Sequence, residues 1–260
     1  MRPVISWTAL LVVAPCSAAM LSPQHHGMLV QQHILSPAPH RAAAAVLCAA
    51  VVSDDEAISI TKQWINNVVI RLGLCPYAAK PFVADQIRYV VSTATDDESF
   101  IADFFVESAL LLDVDEEELS TTFLIAPQYV EEGVEGFYWL YEWLVDTLEG
   151  APAAIDEGTL DESTLQGLVG DRIQPAFFHP EWSFSELPPA SPTHFEKRAP
   201  FAVINLLRRA QLDAVVAKGL ENGVIVNKQI AEHNVAALEQ EGYASLEAIF
   251  AQLRPTVARK

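Results

Sequence analysis

Apolar side chains recur at a spacing of four at Ile60, Trp64, Val68 and Leu72, which predicts a helix over Ala57 to Leu72. Gly73 then stands where helices commonly end in a left-handed residue, and Pro76 blocks continuation. The period changes at Gln86 to Ser92 (QIRYVVS), a β-rich run read as a strand. Thr95-Asp96-Asp97-Glu98 supplies an N-cap with acids in the first turn. The helix it opens runs to about Val114 through Phe100, Phe104 and Leu111. Thr121 to Ala126 (TTFLIA) is apolar enough to be a central strand. Glu135 to Leu148 reads as an aromatic helix, and Ile173 to Phe178 as a third strand. Pro200, suited to a first helical turn, starts a helix to about Lys218, and Val226 to Glu239 and Ser245 to Leu253 are two more. Gly150 to Gly170 is an acidic, Gly-punctuated insertion, and Glu186 to Thr193 a Pro-rich loop.

Strands that alternate with helices predict an α/β fold: a single layered domain with a small, largely parallel sheet flanked by helices, and extra C-terminal helices. Open α/β sheets bind ligands beyond the carboxyl ends of their strands. Thr93 and Thr95, Pro127 and Gln128, and His179 and Glu181 follow those ends. The aromatic residues Trp139, Trp143, Trp182 and Phe184 are expected in the core, and His194 and His233 at the surface.

Charge divides the chain. Residues 1–53 contain no Asp or Glu. They open with Arg2, an apolar run from Trp7 to Ala14 too short to span a bilayer, and small residues at Cys16-Ser17-Ala18-Ala19. A stretch rich in Ala, His, Ser and Pro follows, then a second apolar run from Ala42 to Val52. This layout predicts a signal-plus-transit leader of the plastid type, with secretion as the alternative, and leaves 54–260 as one domain. The 207 residues after the leader carry all 34 acids and 14 of the 16 Lys and Arg, a formal charge of −20. Nucleic acid and anionic membrane surfaces are unfavoured partners for such a chain. From Tyr89 through Asp171 there are 21 acids and no Lys or Arg. That face is either solvated or a docking surface for a basic partner. Arg172, Lys197, Arg198, Arg208 and Arg209 gather the opposite charge and suggest an anion site.

Cys75 is the one thiol after the leader. That rules out an internal disulfide there, and equally a zinc site built from four cysteines or from two cysteines and two histidines. Cys75 and His179 are the catalytic candidates, a thiol and its base, with a small buried residue in a helix stop and a hydrogen-bonded structural histidine at a strand end as the alternative readings. Arg198, placed before Pro200 at an expected helix mouth, is a substrate-binding candidate. So is Arg208, expected on that helix beside Ile204, Asn205, Gln211 and Leu212, and so is Glu181. Arg88, inside a strand, is expected to be ion-paired. His179-Pro180-Glu181 has half of a zinc-deaminase signature, but the P-C-x-x-C half is missing. No G-x-G-x-x-G, Walker loop or metal-ligand spacing is present, so no cofactor or metal is expected.

Three segments carry a resemblance: Trp64 with Gly73 to Ala78, Phe178-His179-Pro180 with Trp182 and Phe184, and Arg198 with Pro200 leading to Leu206-Leu207-Arg208. Together, over about residues 58 to 240, the chain resembles the family catalogued as domain of unknown function 1415, found in bacteria and plastid-bearing eukaryotes. Tyr77 stands where that family has Phe, and Glu196-Lys197 and Ala199 replace the Asn and Ser that flank its Arg. The resemblance implies no reaction, but it selects the same Cys75, His179, Arg198 and Arg208. The expectation is an enzyme or ligand-binding domain for a small anionic metabolite, with an assembly role for the acidic surface as the alternative.

Overall fold

The computed structural model describes residues 52–129, 133–150 and 169–255. The predicted leader and most of the Gly150–Gly170 insertion lie outside them. Among the described residues no helix is long and apolar enough to cross a membrane.

Helix α1 (Asp54–Trp64) begins where Ser53 accepts a hydrogen bond from the Glu56 N–H at 3.3 Å, with three acids in its first turn. Its apolar stripe buries Ala57, Ile60 and Trp64. The helix continues through Ile65–Ile70 with widened, π-type bonding. After the short α2 (Ala79–Val83) come β1 (Ile87–Val91), α3 (Asp97–Asp113), β2 (Thr121–Ala126), α4 (Gly133–Gly150), β3 (Ile173–Phe178) and β4 (Ala202–Arg208). Helices α5 (Arg209–Glu221), α6 (Val226–Glu241) and α7 (Tyr243–Gln252) follow. Asp96 caps α3 by accepting from the Ser99 N–H at 2.9 Å.

The strands form one sheet in the order β1-β2-β4-β3. Strands β1 and β2 are parallel, whereas β4 is antiparallel to both β2 and β3. The α/β expectation holds, but the sheet is not largely parallel. The departure is local: the sequence pattern puts Ala202–Arg208 within a helix, and it is a strand. Pro200 fixes φ equally well for an extended entry. The unbroken run Phe201-Ala202-Val203-Ile204, with two β-branched members, suits a central strand covered on both faces. The helix starts only at Arg209. Because β4 is inserted between them, β1, β2 and β3 still run in one direction.

Side-chain alternation divides the core in two. One face sets Leu124, Phe177, Ile204 and Leu206 against Phe100, Phe104, Phe137 and Leu144 of α3 and α4. The other sets Phe123, Ile125, Phe178 and Val203 against Trp64 of α1 and Leu238 and Leu246 near the C-terminus. The expected aromatic core is only partly formed. Trp182 and Phe184 are half-buried, whereas Trp139 and Trp143 are 69% and 43% exposed, one turn apart on the outer side of α4. His194 is buried rather than superficial, with Nδ1 accepting from the Phe184 N–H at 3.1 Å and Nε2 2.9 Å from the Pro188 carbonyl. It therefore orders the Pro-rich loop from within. Arg88 holds Glu107 through a two-point ion pair, with 2.7 and 3.2 Å contacts.

Arg208 closes the sheet on the α3 side. Its Nε donates to the Leu119 carbonyl at 3.2 Å, and one terminal nitrogen lies 2.5, 2.6 and 3.0 Å from the carbonyls of Leu111, Val114 and Leu119. The guanidinium thus satisfies carbonyls at the C-terminal end of α3, where a cation also complements the helix dipole. Arg208→Ala is expected to lower stability by about 2–3 kcal/mol, because the carbonyls lose a charged donor. Arg208→Lys should recover only part of it, since an ammonium cannot reproduce the fork. Urea unfolding of the three proteins measures both effects.

Candidate functional site

A cavity of about 810 Å³ lies on the sheet face covered by α1. That is within the roughly 300–1,000 Å³ of small-molecule sites. Phe123, Ala176 and Asn205, aligned across β2, β3 and β4, form its floor. Trp64 and Ile65 form one wall, and Leu212 and Val215 of α5 another. The segment Leu74–Ala78 borders it from above. Gln86, Glu116, Glu117 and Gln211 give it a polar rim at the amino ends of β1 and β2. This is the edge opposite to the one expected from strand topology.

The Leu74–Ala78 segment is fixed by how α1 stops. Gly73 has φ +67°, the left-handed region. The Gly73 N–H then donates to the Ile70 carbonyl at 3.0 Å and the Leu74 N–H to the Val69 carbonyl at 2.9 Å, the paired bonds of a Schellman stop. Leu74 turns into the core beside Val69. Nε2 of His233, on α6, lies 3.1 Å from the Leu72 carbonyl, and a Cβ on Gly73 would come within 3.0 Å of that same nitrogen. The dihedral favours glycine, and a Cβ there would also crowd the imidazole. The Ala78 N–H donates to the Cys75 carbonyl at 3.2 Å and closes the turn that places Cys75 on the cavity.

Cys75 is half-buried. Burial pushes its thiol up, and hydrogen bonds from the Tyr77 and Ala78 backbone pull it only partly back. The thiol is therefore protonated near neutrality, and no histidine lines the cavity to take its proton.

His179 is elsewhere. It follows β3, buried beside Phe137 and stacked on Phe177 with centroids 6.4 Å apart. Its Nδ1 accepts from the Glu181 N–H at 3.2 Å, and its own backbone N–H donates to the Lys197 carbonyl at 3.0 Å. The Glu181 carboxylate stands in the exposed turn. Arg198 is a near neighbour of this turn. Its Nε donates to the Trp182 carbonyl at 2.8 Å, its guanidinium lies 4.7 Å over the Phe195 ring, and Glu247 is 3.6 Å away. Arg208 pairs with Ile173 at the far end of β3, six residues from His179, or about 20 Å along a strand.

The structure thus brings His179, Glu181 and Arg198 into one neighbourhood as a backbone-holding cluster. It sets Cys75 on the cavity and Arg208 behind the other sheet face. The expected shared cleft does not form. Arg198 lacks its helix mouth, and neither arginine lines the cavity.

Thr121 and Glu196 of the cavity escaped sequence reasoning, and Asn205, expected on a helix face beside Arg208, lies on a strand. Thr121 Oγ1 lies 2.6 Å from Asn205 Oδ1 and 2.7 Å from the Leu206 carbonyl, which share its single proton. Beyond Thr121, the Asn205 side-chain amide takes no partner among the described residues. Glu196, 4% exposed, accepts from Asn234 Nδ2 at 3.0 Å. Burial pushes its carboxyl up, while Asn234 and Lys197 lower it less. The available signal was a lone Asn inside Ala202–Leu207, but that signal depends on recognising the strand. Among the described residues no group of three His, Cys, Asp or Glu is placed to hold a metal ion.

Burial pushes the His179 imidazole down to about 4 from 6.5. The folded value is the depressed one. Its stabilising contribution is therefore complete above pH 6.5 and is lost as pH falls toward 4. The loss from this group should reach about 3 kcal/mol. His179→Asn retains an acceptor for the Glu181 N–H and should show a shallower decline across the same window when unfolded by urea at stepped pH.

No curated protein and no solved structure matches the chain. A family described as protein of unknown function (DUF1415) matches residues 56–248, which span the cavity-forming segments, and the chain belongs to that family.

Proposed function

We propose that this protein is a small-molecule-binding domain whose site is the cavity beneath Leu74–Ala78. The observation that carries the reading is the Asn205 amide, which lines a ligand-sized space from the middle of a largely apolar floor. Such sites bind through apolar area and orient through a few polar groups. The protonated state of Cys75 and the lack of a lining histidine favour binding over nucleophilic chemistry there. The anion preference draws no support from the lining, where Lys80 is the one cation beside Glu116, Glu117 and Glu196.

A second reading, assembly through the acidic surface, is favoured by the exposed Trp139 and Trp143. Both lie within the interval without Lys or Arg. Its partner would be a basic amphipathic segment. Thermal-shift screening of a metabolite library against the full chain separates the two. A cavity ligand at a hundred times its Kd should stabilise the protein by about 2.7 kcal/mol, and Asn205→Leu and Val215→Trp should lose the shift. If nothing in the library stabilises the protein, and a Lys-rich amphipathic peptide binds in a salt-sensitive way that Trp139→Ala/Trp143→Ala abolishes, the assembly reading replaces it.

We also read residues 1–53 as a targeting leader and the protein as a plastid-directed, algal-type member of its family. The support is the acid-free composition that ends at Asp54. The mature protein should begin near residue 53 by N-terminal mass spectrometry. A full-length mature chain would exclude a cleaved leader.

A further inference from the structure

Resting on the binding role proposed for the cavity, we infer that its ligand is an organic cation: a flat apolar body carrying an amine that meets the carboxylate of Glu196. The charges on the lining are unbalanced. Glu116 and Glu117 stand at the rim, Glu196 lies within, and Lys80, itself exposed, is the single cation. The domain outside the leader carries a formal charge of −20, so the wider field also repels anions and draws cations in.

Glu196 is the decisive member of the set. It is 4% exposed, yet it lines the cavity, and the one hydrogen bond its carboxyl receives among the described residues comes from Asn234. A carboxyl held this dry is short of counter-charge. Lys197, next in the chain, lends it some. Its ammonium sits over the Phe178 ring, 5.8 Å from the centroid, and Lys197 does not line the cavity. An amine delivered from the cavity side would supply a charge-assisted hydrogen bond that the protein does not make for itself. The wall beside it is aromatic. Trp64 meets Phe178 and Phe123 edge to face, with centroids 5.1 and 6.3 Å apart, and all three rings line the space. Aromatic faces favour both a flat apolar body and a cation held over them. The Asn205 amide, across the floor, can meet a polar atom on the body.

The test uses three probes of one shape and different charge: tryptamine, tryptophol and indolepropionate. Each is titrated by calorimetry into the full chain, into Glu196→Gln and into Val215→Trp. Glutamine keeps an acceptor for Asn234, so the fold is retained while the charge is removed. The inference expects tryptamine to bind about tenfold tighter than tryptophol, with indolepropionate weakest. In Glu196→Gln the amine should lose that advantage and tryptophol should bind unchanged. Val215→Trp should block all three. Indolepropionate matching or exceeding tryptamine overturns the inference and leaves the cavity reading standing, as does an amine preference that survives Glu196→Gln. If none of the three binds, the inference falls and the cavity reading stands on the library screen; if Val215→Trp leaves binding intact, the cavity reading falls and the inference with it.

Discussion

Backbone pairing along Ala202–Arg208 holds the molecule together. This strand takes β2 on one side and β3 on the other, so every ladder bond between the amino-terminal pair and β3 passes through it. Both of its faces are covered, and its side chains enter both cores. Its final residue, Arg208, carries the sheet's grip onto the carbonyls at the end of α3. The antiparallel insertion also leaves β1, β2 and β3 co-directional, so their carboxyl ends share one edge and their amino ends the other.

Those two edges have taken on different work. At the carboxyl edge, Arg198 donates to the Trp182 carbonyl, the Trp182 N–H to the His179 carbonyl and the Glu181 N–H to the His179 imidazole, and these bonds brace the chain between β3 and β4. A neutral imidazole suits that task, because burial penalises only the protonated form, which the bracing does not require. Toward the amino edge of β1 and β2 the helical cover stands off from the sheet and leaves the cavity, with one amide on its floor and a dry carboxyl on its wall. Conspicuous polar residues can therefore be structural while the quieter ones face open space.

Much of this is legible in the sequence where local and tertiary preferences agree. Helix α3 follows from its acidic cap and its aromatic stripe, and β2 and β3 from apolar runs of strand length. The stop at Gly73 follows from glycine and the proline three residues on. The Arg88 ion pair follows from a charge in a strand. Strand β4 is not legible, because Pro200 opens a helix or an extended segment with the same φ, and only the covering of both faces decides between them. Reading β4 as a helix gives Arg198 a helix mouth and Arg208 a helix face, and the anion clamp rests on both. Trp139 and Trp143 look like core by composition. Their exposure depends on which side of α4 meets the sheet, and a helix so rich in aromatic residues does not announce that. Cys75 does stand out as a residue of the cavity, although its surroundings supply neither the base nor the charge a nucleophile requires.

The contact between Gly73 and His233 has a consequence for how the cavity is reached. The imidazole occupies the space a side chain would take and lies within hydrogen-bonding distance of the preceding carbonyl, so the turn bearing Cys75 and helix α6 are latched to each other. Moving either one outward breaks that contact. The solvent-facing rim, where Tyr77 and Lys80 stand exposed, is then the side from which a guest reaches the space without breaking the latch.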